Sequence, residues 1–300
     1  MKRTLTLLIC AALLAGPAQA ARIIYQKPSL YQNVTVTDDG SRICMQFASR
    51  GRFYSQQSCQ FKDDPDRLVF EYARLAFAGL MINPEPSRVL VVGLGGGSIP
   101  RTFRELFPEA KIDTVEIDPA VVEVAERYFD FEDDENLDII VKDARVFVKQ
   151  AGIMKRKYDY IVLDAFNGDY IPEHLMTKEW LEEVKAVLAD GGVLIANTFS
   201  ISDLYDNESA TYESAFGWIR NVKLDTGNRL ILTGNFEPVS KEDMLARAER
   251  LDSERFEPYG FTLRWIAENV HDEADWDRSA RVLTDQYAPA NLLQGRKSGD

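Results

Sequence analysis

The sequence predicts an α/β protein in which a small N-terminal antiparallel β domain precedes a parallel sheet with helices on both faces. From residue 88 onward, unbroken runs of Val, Ile and Leu alternate with helical segments, which is the pattern of a buried parallel sheet. Residues 21–62 are instead rich in Tyr, Gln, Val, Thr and Phe. Turn signals at 38–40 and 50–51 divide that segment into short strands.

The predicted elements follow one another in a regular order. Helical periodicity after an Asp-Pro start predicts a helix over 64–82. Further helices are predicted over 99–107, 119–129, 144–151 and 177–189, between the strands RVLVVGLG, KIDTVEI, LDIIVKDA, YDYIVLDAF and GGVLIANTF. The segments NVKLD and NRLILTG predict a closing antiparallel pair. After Pro238 the chain is charged and helical until a polar tail.

The first residues of the chain have the pattern of an export signal. Lys2 and Arg3 precede an apolar run over 5–15, and Ala-Gln-Ala at 18–20 matches a cleavage site. The apolar run is shorter than the roughly 20 residues that span a bilayer. We therefore expect an exported protein, periplasmic or secreted, with no membrane span after signal removal; a retained interfacial helix is the alternative.

The signal pattern and the order of predicted elements divide the chain into four expected segments. They are the signal peptide (1–20), the β domain with its linking helix (21–82), the cofactor-binding domain (83–235) and a helical C-terminal extension with the polar tail (236–300).

The charge of the chain favours a cationic partner. The formal net charge is −13, and it becomes −15 when Lys2 and Arg3 are removed with the signal. Nucleic acid is not expected as a partner because its phosphates would be repelled. A small cationic amine would be attracted, although a merely solvated acidic surface is the alternative interpretation.

Two cysteines remain after signal cleavage. Cys44 and Cys59 flank a predicted hairpin with its turn at 50–51. In an oxidising compartment this pair predicts a disulfide, and two unpaired thiols are the alternative. A closed loop of this size would contribute about 3 kcal/mol of stability.

A glycine-rich loop follows the first parallel strand. Gly93, Gly95 and Gly97 have G-x-G-x-G spacing, which lets the backbone approach a nucleoside without an intervening Cβ. Glu116 ends the next strand, 23 residues after Gly93, where a carboxylate can accept both ribose hydroxyls. Asp143 ends the third strand, where it can accept from an adenine amino group.

These strand ends predict binding of a nucleoside of the S-adenosylmethionine type. A nicotinamide dinucleotide and an empty structural relic are the alternatives. The histidines, His174 and His271, are too few and too far apart in sequence for a metal cluster, so no metal is expected. His174 is expected to order its loop or to line the pocket.

Taken together, the motifs resemble those of the spermidine/spermine synthases, or polyamine aminopropyltransferases, over roughly residues 24–235. The resemblance rests on PSLYQNVTVT, DPDRLVFEY, RVLVVGLGGGS, TVEIDPAVVEVAERYF, KDARVFV and YDYIVLDAFNGDYIPEHLMTKEW. The segments DAFNGDYIPEHLMTKEW, TGNRLIL and VLTDQYAPANLL look most like the bacterial spermidine-synthase-like branch. The resemblance implies a small N-terminal β domain and an S-adenosylmethionine-methyltransferase-like Rossmann domain.

The resemblance also implies roles for individual residues. Aminopropyl transfer needs a neutral amine, and since a free amine has a pKa of about 10, a carboxylate must accept its proton. Asp164 matches the family's catalytic aspartate and is the predicted general base; a solvated loop carboxylate is the alternative. Asp169, offset from Asn167, is predicted to hold a substrate ammonium. Tyr31 and Gln32 match a family Tyr-Gln pair near the pocket, although core packing explains Tyr31 equally well.

Two places depart from the family pattern. Gly96 stands where the family has an aspartate that helps to hold the amino group of decarboxylated S-adenosylmethionine. This departure leaves room for S-adenosylmethionine itself. Phe70 and Glu71 stand where the family has Tyr-His or Tyr-Gln. Glu71 is expected either to supply a new carboxylate to the amine or to be a surface helix residue.

The sequence thus predicts a transferase, a spermidine-synthase-like polyamine aminopropyltransferase. Its expected donor is decarboxylated S-adenosylmethionine or S-adenosylmethionine, and its expected acceptor is putrescine or a related amine. An S-adenosylmethionine-dependent methyltransferase and a non-catalytic polyamine- or nucleoside-binding protein are the alternatives. A homodimer is a further expectation.

Overall fold

Two sheets are formed by the residues that the computed structural model describes, namely 21–47, 55–166, 171–224, 227–251 and 254–289. An antiparallel sheet precedes a larger mixed sheet with helices, so the predicted fold class is confirmed. The predicted signal at 1–20 and the predicted turn at 50–51 lie outside these ranges. Within them, no helix combines the length and the apolar character needed to cross a membrane.

The N-terminal sheet has four antiparallel strands in sequential order. They are β1 (Arg22–Lys27), β2 (Val34–Asp38), β3 (Arg42–Phe47) and β4 (Ser55–Phe61). The predicted turn at 38–40 is present, with Gly40 at a φ of 94° and its N–H donating to the Asp38 side chain. Cys44 and Cys59 are directly opposed on β3 and β4 and are joined by a disulfide, as predicted.

The larger sheet has the order β12-β10-β11-β9-β8-β5-β6-β7. Its strands are β5 (Arg88–Val92), β6 (Lys111–Glu116), β7 (Leu137–Val141), β8 (Tyr158–Leu163), β9 (Leu188–Phe199), β10 (Arg220–Lys223), β11 (Asn228–Gly234) and β12 (Val270–His271). Strands β9, β8, β5, β6 and β7 are parallel, and the predicted β10–β11 pair closes the sheet antiparallel. The carboxyl ends of the parallel strands therefore meet at one edge, where ligands bind in open α/β sheets.

Helices cover this sheet. They are α1 (Glu71–Leu75), α2 (Ser98–Leu106), α3 (Pro119–Tyr128), α4 (Ala144–Ile153), α5 (Lys178–Val187), α6 (Tyr205–Phe216), α7 (Lys241–Leu251) and α8 (Leu263–Glu268), with 3₁₀ turns at Ala78–Met81, Glu173–Leu175 and Glu254–Tyr259. Helices α2 to α5 match the predicted helices to within two residues at each end. Asp118 and Asp143 begin α3 and α4 by accepting hydrogen bonds from the amides of Ala120 and Val146.

The helix predicted over 64–82 is wrong in its extent. Only α1 and the 3₁₀ turn that follows it are helical, and Phe70 is extended with φ −89° and ψ 138°. The guanidinium of Arg74 donates to the carbonyl of Leu68 at 2.6 and 2.9 Å, and the N–H of Leu68 donates to Tyr259 at 3.1 Å. The Arg74 side chain and the distant Tyr259 thus satisfy the backbone groups of Leu68, which a longer helix would have paired internally.

The N-terminal sheet packs against the larger sheet beside the glycine loop. Val34 and Met45 belong to the same buried cluster as Val89 of β5 and Ile266 of α8. The hydroxyl of Ser58 on β4 accepts from the amide of Gly96 at 2.9 Å. This contact makes the N-terminal sheet one wall of a cleft over the strand ends.

Candidate active site

A cleft of about 260 Å³ lies between the strand ends and the N-terminal sheet. The N-terminal segment contributes Tyr31, Gln32, Phe47, Gln57 and Ser58 to its wall. The strand ends and their loops contribute Gly93, Leu94, Gly95, Glu116, Asp118, Lys142, Asp143 and Asp164, and the 171–177 loop adds Pro172, His174 and Leu175. The structure therefore brings most of the predicted site residues together.

The glycine loop allows the close approach that the spacing predicts. Gly93 and Gly95 line the cleft. A Cβ on Gly93, whose φ is 98°, would lie 2.3 Å from the backbone oxygen of Asp164. Only a residue without a side chain fits between these two strand ends.

Gly97 has a different role from the predicted one, and Gly96 shares that role. Gly97 does not line the cleft, and a Cβ on it would lie 2.2 Å from the ring of Phe131. A Cβ on Gly96 would lie 2.8 Å from the ring of Phe129. The aromatic side chains after α3 therefore occupy the space that side chains at these positions would need.

Glu116 is held at the cleft by backbone donors. Its Oε2 accepts from the amide of Leu94 at 3.1 Å, and its Oε1 accepts from the amide of Asp118 at 2.9 Å. Burial raises the pKa of Glu116, and the charge of Asp118 adds to this, while the backbone hydrogen bonds oppose it. The carboxylate therefore lies at the glycine loop in one defined orientation, as a ribose-binding group requires.

Asp143 and His174 form a pair at the cleft. Asp143 Oδ1 accepts from Val146 as the cap of α4, and its Oδ2 lies 3.0 Å from His174 Nε2. Arg145 donates to the carbonyl of His174 at 3.3 Å and pairs with Glu183. His174 thus lines the cleft and also takes part in ordering its loop, so both expectations for it apply.

Asp164 follows β8 and lies partly buried in the cleft. Its Oδ1 accepts from Asn197 Nδ2 at 2.8 Å. Burial raises the pKa of Asp164 to about 7; the charge of Glu116 also raises it, and the hydrogen bond from Asn197 lowers it. A carboxylate with a pKa near neutrality suits a general base.

Of the two expectations for Glu71, the substrate carboxylate is wrong and the surface residue applies. Glu71 does not line this cleft; it lies in a separate surface groove with Arg67 and Trp265. Tyr72 lines the cleft instead, and its hydroxyl donates to the carbonyl of Gln57 at 3.2 Å. Burial raises the pKa of Tyr72, and the charge of Asp164 adds to the effect. The structure therefore supplies a tyrosine hydroxyl two residues after the position, Phe70, at which the family pattern has its tyrosine.

Tyr31 and Gln32 reach the cleft through a tight local turn. The Ser29 hydroxyl donates to Asp118 Oδ2 at 2.5 Å and accepts from the amides of Tyr31 and Gln32 at 3.0 and 3.1 Å. Tyr31 is 47% exposed, which excludes core packing as its explanation. Asp169, the predicted substrate carboxylate, lies outside the described residues.

The cleft is acidic. Among the described residues that line it, four are carboxylates and one is a lysine, Lys142, whose Nζ donates to Gln150 at 2.8 Å. No group of three or more His, Cys, Asp or Glu suited to a metal ion occurs in the described part of the chain. A cationic ligand fits this field, and Asp164 can act on a proton that such a ligand carries.

Comparisons with known proteins identify relatives of the chain in sequence and in fold. Residues 70–215 match the spermine/spermidine synthase domain. A polyamine aminopropyltransferase from Vibrio vulnificus is 45% identical over 290 residues, which are 96% of this chain and 96% of that protein. A probable spermidine synthase from Corynebacterium glutamicum superposes with a TM-score of 0.64 at 20% identity, over 87% of this chain and 99% of that one.

A methyltransferase also has this fold. Human methyltransferase-like protein 13 in complex with SAH superposes with a TM-score of 0.57 at 25% identity, over 70% of this chain and 97% of that one. The resemblance predicted from the motifs, the methyltransferase-like fold and the transferase class are confirmed by these matches. They also fit a nucleoside co-substrate of the S-adenosylmethionine type.

Proposed function

Because the chain belongs to the spermine/spermidine synthase family, we propose that it transfers the aminopropyl group of decarboxylated S-adenosylmethionine to putrescine or a related amine. The observation that carries this proposal is the environment of Asp164. The carboxylate lies in an acidic cleft beside the glycine loop, with a pKa raised to about 7 by burial.

The proposed transfer is a displacement at carbon. The lone pair of a neutral amine forms an N–C bond to the aminopropyl carbon next to the sulfonium. The C–S bond breaks, and its electron pair stays on sulfur, which leaves neutral methylthioadenosine. The amine nitrogen gives up one proton to Asp164, whose carboxylate form increases as the pH rises through about 7.

Charge in the cleft supports a donor without a carboxylate. S-adenosylmethionine carries a carboxylate that its decarboxylated form lacks. Four carboxylates line the cleft, from Glu116, Asp118, Asp143 and Asp164, against one lysine among the described residues, Lys142. A donor carboxylate would be repelled by these groups, whereas an aminopropyl ammonium would be attracted.

A methyltransferase is the second candidate, and two observations favour it. The fold matches human methyltransferase-like protein 13, and Gly96 provides no carboxylate for the donor's amino group. In that case Asp164 would accept a proton from a different nucleophile.

The test is product analysis with purified protein. Incubation with putrescine and decarboxylated S-adenosylmethionine should release methylthioadenosine, and Asp164→Asn should reduce that release strongly. Formation of S-adenosylhomocysteine from S-adenosylmethionine, without methylthioadenosine release, would replace the proposal with a methyltransferase. Tight binding of either nucleoside without turnover would instead indicate a binding protein.

We further propose that the protein is exported. The basic and apolar pattern of residues 1–20 supports this, and the Cys44–Cys59 disulfide is compatible with an oxidising compartment. Protein from the native host should begin near Ala21. An intact mass that still includes residues 1–20 would reject the proposal.

A further inference from the structure

We propose that Asn197 is a positioning residue for Asp164, and that Asn228 supports the required orientation of the Asn197 amide. Asn197 would hold one carboxylate oxygen and leave the other for the substrate amine. This inference rests on the proposed function, because it assigns a role in delivering the proton to Asp164.

The sheet register places Asn197 beside the base. Leu163 of β8 pairs with Ala196 of β9, so the next residues of the two parallel strands, Asp164 and Asn197, are neighbours. Asn197 is 6% exposed, and its Nδ2 donates to Asp164 Oδ1 at 2.8 Å. Among the described residues no hydrogen bond reaches Asp164 Oδ2, and Asp164 lines the cleft.

An asparagine amide can present either its nitrogen or its oxygen to a neighbour. The ionised Asp164 carboxylate can only accept, so it selects the nitrogen of Asn197, and Asn228 Nδ2 then donates to Asn197 Oδ1 at 3.2 Å. The Asn197 oxygen is thereby directed toward β11, and its N–H donors face the carboxylate. The reverse orientation would place a carbonyl dipole against the negative charge of Asp164.

The hydrogen bond opposes the other groups around Asp164. Burial and the charge of Glu116 from β6 raise the pKa of Asp164, and Tyr72 from α1 faces the same carboxylate. The donor from Asn197 lowers this pKa. Without the donor, Asp164 would stay protonated to higher pH and would accept the amine's proton only in a more alkaline range.

Asn197→Leu tests the proposal, since it keeps a similar volume and removes the donor. The acid limb of the kcat/KM profile should move up by about one to two pH units. Turnover at pH 7 should fall about five- to fiftyfold, and the loss should shrink at pH 9. Asn228→Ala should move the limb in the same direction by less. If Asn197→Leu does not fold, Asn228→Ala carries the test.

Thr198→Val is the matched control on the same strand. Thr198 is buried and contacts Arg229, with Arg229 Nε donating to its Oγ1 at 2.8 Å. The Thr198→Val variant should be less stable than wild type, but the acid limb of its kcat/KM profile should coincide with that of wild type. If Asn197→Leu lowers activity while its limb coincides with that of wild type, Asn197 is only structural and the proposal is wrong.

A second readout does not depend on the reaction. Infrared difference spectra of the ligand-free protein report protonation of a carboxylic acid, and Asp164→Asn identifies the band of Asp164. That band should titrate at higher pH in Asn197→Leu than in wild type, and an unmoved band overturns the inference. If wild type shows no transfer activity, the proposed function is rejected. The effect of Asn197 on Asp164 would still be tested by this titration.

Discussion

Replacing Asp164 by Asn is expected to remove the general base and, at the same time, to stabilise the ligand-free protein at alkaline pH. Asn has nearly the same shape and can still accept from Asn197 Nδ2, which lies 2.8 Å from Asp164 Oδ1. It carries no charge, so the cost of a partly buried carboxylate beside Glu116 disappears. Loss of a positioned base should reduce turnover by roughly 10²–10⁴-fold.

The size of the stabilisation follows from the pKa. The pKa of Asp164 is about 7 in the folded protein, against an ordinary value of 3.8. Because the folded-state pKa is the higher one, ionisation destabilises the fold progressively as the pH rises from about 4 to 7. At about 1.4 kcal/mol per pH unit, this cost is about 4 kcal/mol at pH 8 and about 2 kcal/mol at pH 5.5.

The assay is urea unfolding of wild type and Asp164→Asn, without ligand, at several pH values. The free energy of unfolding of the variant relative to wild type should increase by about 2 kcal/mol between pH 5.5 and pH 8. The slope with pH is diagnostic, because a packing effect of the substitution would be the same at each pH. A difference that does not change with pH would refute the raised pKa and the role of Asp164 based on it.

Three other predictions concern separate parts of the molecule. Glu116→Ala should weaken methylthioadenosine binding more than tenfold in calorimetry, because a buried charged hydrogen bond is worth about 1.5–3 kcal/mol; an unchanged affinity would contradict its placement at the ribose. Asp169→Asn should mainly raise the KM for putrescine and leave donor affinity unchanged, since Asp169 is predicted to hold the distal ammonium; a fall in kcat alone would exclude that role. Replacing Cys44 and Cys59 by Ser should cost about 3 kcal/mol in urea unfolding under oxidising conditions, and reduced wild type should match the variant. Equal stability of oxidised wild type and variant would show that the bridge does not form.

The placement of the strand-end residues was predictable from the sequence. Gly93, Glu116, Asp143 and Asp164 each lie at or just after the end of a strand that the apolar pattern predicts. In a parallel sheet such strands end at the same edge, so the order along the chain already implies proximity in space. The four residues line one cleft for this reason, and no knowledge of side-chain packing was required.

Site residues that are not marked by the end of a predicted parallel strand could be placed only from the tertiary structure. Glu71 was chosen because it stands where the family has His or Gln, and the position in the motif does not tell which side of the five-residue helix α1 faces the cleft, so Tyr72 was missed. The register of β9 against β8 brings Asn197 to Asp164, and hydrogen bonding across strands has no local sequence signal.

The alternation of apolar strands and helices, together with the glycine loop, by itself determined the fold class and the edge of the sheet that carries the site. These features depend on local periodicity and on the backbone freedom of glycine, which short segments express independently of their neighbours. Only the tertiary structure decided how each carboxylate is tuned. The pKa of Asp164 results from burial, from Glu116 and from Asn197, which are far apart in sequence and act through distance and dielectric.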